Sequence, residues 1–168
     1  MNRRALLLAA VLLLGGTFVA AARAAFAIVV APATAIGSPV TLSGVDQVST
    51  FTAVITVSGA VNTGWNITAW APLPASGANT LAALIVPSQP TLGPCSGGGC
   101  SLPTPVGITW PAAVGTTAGA ATKIYNADVS TGKGTNTVTV TFNIPVPARS
   151  LPGSYTTTLT ITGSASGP

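Results

Sequence analysis

The segment "NTVTVTFNIPV", residues 136 to 146, restricts the fold more than any other part of the chain. Val138, Val140, Phe142, Ile144 and Val146 fall at every second position, with Thr137, Thr139, Thr141 and Asn143 between them. Side chains of an extended chain alternate between two faces, so this spacing makes a strand with one face for a core and one for water. Two further segments follow the same plan. "FTAVITV" aligns Phe51, Ala53, Ile55 and Val57, and "SYTTTLTIT" aligns Tyr155, Thr157, Leu159 and Ile161 against Thr156, Thr158, Thr160 and Thr162. Between the last two strands "PARSLPG" supplies a turn, punctuated by Pro152-Gly153.

"GWNITAW" is a fourth strand, with Trp65, Ile67 and Ala69 on one side and Asn66, Thr68 and Trp70 on the other. Weaker strand signals lie at Ile28 to Ala31, Val40 to Leu42, Leu81 to Ile85, Gly107 to Trp110 and Thr122 to Asn126. The stretch from Ala71 to Thr122 is the least regular and is rich in Pro, Gly and Ala; Ala112 to Thr122 reads as one helical turn or as an open loop. No segment carries an amphipathic helical period. About eight short strands with Pro- and Gly-rich connections predict an all-β fold, an immunoglobulin-like antiparallel β-sandwich forming one domain over residues 28–168.

The first residues read as a secretory leader, residues 1–27. Arg3 and Arg4 form its basic end and Ala5 to Ala22 its apolar middle; small-x-small sites place cleavage after Ala24 or Ala27. The rival reading is a retained anchor, since this apolar run is at the short edge of what spans a bilayer. Removal of the leader takes most of the charge with it. From Ile28 onward only Lys123, Lys133 and Arg149 face Asp46 and Asp128, so the basic cluster that nucleic-acid binding needs is missing. The membrane is expected to be met only in transit, through the leader.

Residue types also exclude most catalytic chemistry. Nucleophile systems built on Ser-His-Asp or Cys-His need histidine, and there is none. Paired-carboxylate hydrolysis needs two acids, and Asp46 and Asp128, the only two, sit in turn-like contexts. "TGKGTNT", residues 131 to 137, lacks phosphate-loop spacing and precedes a strand rather than a helix. The expectation is a non-enzymatic protein without a cofactor; calcium held by an aspartate and carbonyls stays open. Cys95 and Cys100 bracket "SGGG", which in an exported chain reads as a disulfide closing a short loop, with free thiols or intermolecular pairing as the alternatives.

The C-terminal section "IYNADVSTGKGTNTVTVTFNIPVPARSLPGSYTTTLTITGSASGP", residues 124 to 168, resembles the last part of WxL-domain surface proteins, which bind the cell wall of Gram-positive bacteria. "GWNITAW" resembles their earlier W-x-L motif, with Trp65 at the tryptophan and Ile67 at the leucine position. The family's second W-x-L would fall on Ile161-Thr162-Gly163, where both the tryptophan and the leucine are missing. The resemblance implies a secreted protein retained noncovalently at the cell surface, with peptidoglycan or an associated glycopolymer as partner.

Two functional readings follow. In the first, Trp65 anchors the core while Trp70 and Trp110, at strand ends beside prolines, contact wall material or another partner. In the second, the protein is a self-assembling subunit of a surface layer, fibre or pilus, whose partners are copies of itself. Its warrant is the nearly uncharged, Thr-rich surface and a final strand able to pair with a neighbour. Tyr155 is expected to cap or pack the last hairpin.

Overall fold

A computed structural model describes residues 25–60 and 62–166. Among these residues ten strands form: β1 (Ala27–Ala31), β2 (Gln47–Ala60), β3 (Trp65–Trp70), β4 (Ala75–Ser76), β5 (Asn79–Thr80), β6 (Val86–Pro87), β7 (Thr91–Leu92), β8 (Thr122–Ala127), β9 (Gly134–Val146) and β10 (Thr160–Ser164). The first sheet has the order β1-β2-β9-β6, with β7 also on β9; the second has the order β10-β3-β8. All pairings between these strands are antiparallel. The two sheets pack face to face as an all-β sandwich, the class that the alternating segments predict. The leader reading and its Ala24 cleavage site rest on residues outside the described ones.

The β2–β9 ladder is the spine. Ala53 pairs with Val140, Ile55 with Val138 and Phe51 with Phe142, so the apolar faces of both strands point the same way. Phe51 and Phe142 stack with ring centroids 5.1 Å apart. From the opposite sheet Trp65, Ile67 and Ala69 of β3 meet them, with Ile124, Tyr125 and Ala127 of β8, all buried. Inward-facing Asn136 sits in this core with no exposed surface. Its amide donates to the carbonyls of Gly132 at 2.8 Å and Lys133 at 3.0 Å, which ties the β8–β9 turn to the start of β9.

Proline explains where the ladders stop short of the expected strands. The final extended segment begins near Tyr155, yet continuous pairing with β3 starts only at Thr160, opposite Trp70. Beyond Trp70 the partner chain reads Ala71-Pro72-Leu73-Pro74, and proline has no N–H to give. One bridge resumes further on, where Ala75 and Thr156 exchange two hydrogen bonds of 2.9 Å. The alternation holds through the gap as far as Leu159: Tyr155, Thr157, Leu159 and Ile161 are half-buried and Thr156, Thr158 and Thr162 exposed, but Thr160, expected on the outward face, is half-buried too.

Three weaker strand expectations are corrected. Val40 to Leu42 and Gly107 to Trp110 join no ladder, and the pairing expected at Leu81 to Ile85 falls instead on Val86–Pro87. Pro39, Pro103, Pro105 and Pro111 break the runs around the first two. Within Ala112 to Thr122 a single 3₁₀ turn forms at Ala118–Ala120.

Candidate functional site

Trp65 is fully buried. Its indole stacks on Tyr125 with centroids 5.2 Å apart, and its Nε1 donates to the Gly132 carbonyl at 3.0 Å. Ile67 is likewise fully buried. Neither has surface to offer a ligand. Trp70 and Trp110 are half-buried and pack against the same core, so each shows only part of its ring. The Trp110 Nε1 donates to the Ile124 carbonyl at 3.3 Å, and Trp70 is bridged to Gly115 by the chain that folds over the end of β3. The out-of-phase position of Trp70 therefore brings partial cover rather than full exposure.

Cys95 and Cys100 form a disulfide with Cα atoms 6.0 Å apart. The closed loop is fastened to the sandwich by Ser96 and Thr135, which exchange backbone hydrogen bonds of 2.9 and 3.0 Å at the start of β9. It is a surface tie outside the buried core cluster.

The two aspartates lie at opposite ends of the long ladder. Asp46 precedes β2 and its Oδ1 accepts the Ala148 N–H at 2.8 Å; Asp128 follows β8 and its Oδ1 accepts the Val129 N–H at 2.8 Å. They cap turns at sites a full strand length apart, so they form no catalytic pair. Among the described residues no group of three or more His, Cys, Asp or Glu comes together to hold a metal ion. Among the same residues no helix is long and apolar enough to cross a membrane.

The feature that remains is an open seam between the sheets. It consists of two adjoining cavities of about 800 and 660 Å³. On one wall stand Phe51, Ala53 and Ile144 of the β2–β9 sheet; on the other stand Tyr155, Leu159 and Ile161. Residues 35–42, which join β1 to β2, form the mouth. The Tyr155 hydroxyl donates to the Leu151 carbonyl at 3.0 Å, a bond four residues back along the chain that fixes the corner leading into the last segment. Sandwiches of the immunoglobulin type use the same device ahead of their penultimate strand.

Strand edges differ in their protection. The free side of β8 is covered by the chain from Pro103 to Trp110, through Val106 N–H to the Asn126 carbonyl at 2.9 Å and Asp128 N–H to the Thr104 carbonyl at 2.9 Å. β6 and β7 are two residues long and lie among Pro87, Pro90 and Pro94. β1 and β10, the two edges on the other side, lack these devices, although side chains of β1 pack against Gly163 of β10. Among the described residues no strand pairs with the outer side of β10, and Thr160–Ser164 contains neither charge nor proline. Sequence reasoning placed this strand at Ser154 to Thr162, of which only Thr160 to Thr162 fall in β10; the seam beside it comes from the packing of distant segments and had no local signal. Comparison with family models, with curated proteins and with solved structures finds no match for this chain.

Proposed function

We propose that the protein is an exported, non-enzymatic subunit of the cell surface that assembles with copies of itself through shared β-structure. The observation that carries this reading is the outer edge of β10, with which no strand pairs among the described residues, beside an apolar seam. An unpaired edge presents a row of N–H and C=O groups to any neighbouring strand. Strand addition would satisfy those groups, while the seam would receive alternate side chains of the added strand.

Composition supports the same reading. From Ile28 onward five charged residues cover the whole domain, so little repulsion keeps copies apart. Val29, Ile36, Val45 and Val48 add exposed apolar surface near the first sheet edge. The disulfide fits an oxidising, extracytoplasmic setting.

The second reading is noncovalent attachment to wall peptidoglycan or an associated glycopolymer, as the WxL resemblance implies. Its support is the partial exposure of Trp70 and Trp110, whose uncovered ring portions would stack on sugar faces. Co-sedimentation of the purified protein with envelope fractions stripped of other proteins separates the two. Ordered pelleting without wall material is the result expected for a subunit; saturable pelleting only with wall material would overturn it in favour of wall binding.

A further inference from the structure

β1 is built like a detachable strand. It is five residues long, lies at the edge of its sheet and is held by one ladder, to β2. Its alternate residues Phe26, Ile28 and Val30 nevertheless pack against the core. They enter a socket on the other sheet: a Cβ added at Gly163 of β10 would lie 2.5 Å from Ile28 Cγ2 and 3.0 Å from Phe26 Cε1. Only glycine leaves that space. β1 is thus the piece that bridges β2 and β10 at the open side of the sandwich.

Its connection to the rest of the chain is slack. Ala31 is the last residue of β1, opposite Val54, and the chain is next fastened at Ser38, whose N–H donates to the Thr50 carbonyl at 2.9 Å. Along β2 three residues separate Val54 from Thr50, whereas six, 32–37, separate Ala31 from Ser38. The surplus runs along the rim of the seam, where Pro32 to Ile36 are all exposed, Ile36 at 92%. Extended, six residues reach roughly 20 Å, far enough to carry β1 away while Ser38 stays in place.

We propose that β1 is exchanged between copies of this chain, the Phe26–Ala31 segment of one molecule occupying the β2–β10 corner of another. This rests on the subunit reading above and names its partner and donated segment. Every contact of β1 is preserved in the exchange, so only the connection 32–37 changes course and the equilibrium follows concentration. The intramolecular β1 has an effective concentration on the order of millimolar; dilute protein keeps its own strand, and a crowded surface trades it. A molecule that shares β1 with one neighbour and its β10 edge with another extends the assembly in two directions.

The test uses Val29 and Thr56, which face each other across β1 and β2. A Val29→Cys protein and a Thr56→Cys protein, distinguished by tags of different size, are mixed, refolded together at about 1 mM and at about 1 µM, and treated with a short bis-maleimide. Cross-linked peptides are located by mass spectrometry, which also confirms that Cys95–Cys100 is intact. A single chain carrying both substitutions must cross-link internally, which validates the geometry. The expected result is a Val29→Cys to Thr56→Cys heterodimer at the higher concentration, at least tenfold above the level at the lower. If that heterodimer is absent while particles form, exchange is overturned and the subunit reading stands. If neither forms, both fail. Heterodimers without larger particles would support exchange and leave the surface-assembly reading contradicted.

Discussion

The indole of Trp65 lies 5.2 Å from the phenol of Tyr125, centroid to centroid, with the ring planes 24° from parallel. One ring comes from β3 and the other from β8, and each is tied to a loop. Trp65 donates to Gly132 at 3.0 Å and Tyr125 donates to Pro103 at 3.1 Å. Gly132 has φ +65°, and a Cβ there would stand 2.5 Å from Trp65 Nε1. The pair therefore fixes both the second sheet and the loops that close its end.

Trp65→Ala is expected to destabilise the protein by about 3–5 kcal/mol, because it leaves a large cavity and removes one of the two donors, Trp65 and Asn136, that share the Gly132 carbonyl. Equilibrium denaturation checks this. A loss below about 1 kcal/mol would show that the ring is not a core anchor.

Tyr125 makes stability depend on alkaline pH. Burial pushes its hydroxyl from 10.0 up to about 12, because desolvation disfavours the phenolate. The unfolded chain releases this proton first. Its contribution is therefore fully present below about pH 10 and is lost as pH rises toward about 12. Denaturation midpoints should hold below about pH 10 and fall above it, beyond any decline seen in Tyr125→Phe. Equal pH profiles for the two proteins would contradict the assignment.

The sandwich was legible in sequence wherever one strand carried its own alternation. Val138, Val140 and Phe142 announce their face, and the partners Ile55, Ala53 and Phe51 announce theirs. Trp65 was legible for the same reason, being in phase with Ile67 and Ala69. Trp70 was harder: alternation sets it outward, yet it is half-buried against the core, beside a backbone bridge to Gly115, forty-five positions on. The middle of the chain was poorly legible, because β4 to β7 are two residues each and are set by long-range pairing rather than by local pattern. The seam depends on residues as distant as Phe51 and Leu159, and the slack at 32–37 emerges only when the β1–β2 register is known.

The disulfide should matter locally. It closes a loop of only six residues, Cys95 to Cys100, for which the chain-entropy model gives about 2 kcal/mol. Reduction is expected to raise hydrogen exchange at Ser96 and Thr135, whose paired amides hold the loop, and to leave the amides of Val138 and Val140 protected. Loss of protection throughout β9 would show that the loop is needed for the fold.

Tyr155→Phe removes the bond to the Leu151 carbonyl and should cost about 1 kcal/mol. The loss should appear as faster exchange in residues 151–159, measured by mass spectrometry. Unchanged exchange there would contradict the role of this hydroxyl in fixing the corner.

The most direct test of assembly through β10 is sedimentation velocity on the purified protein and on a Thr158→Lys/Thr162→Lys variant. Both threonines are exposed, so two lysines place charge beside the open edge without entering the core. The account predicts ordered particles well above monomer size for the native protein, and a monomer with an unchanged melting temperature for the variant. A native protein that stays monomeric when concentrated, or a variant that assembles equally well, would contradict it.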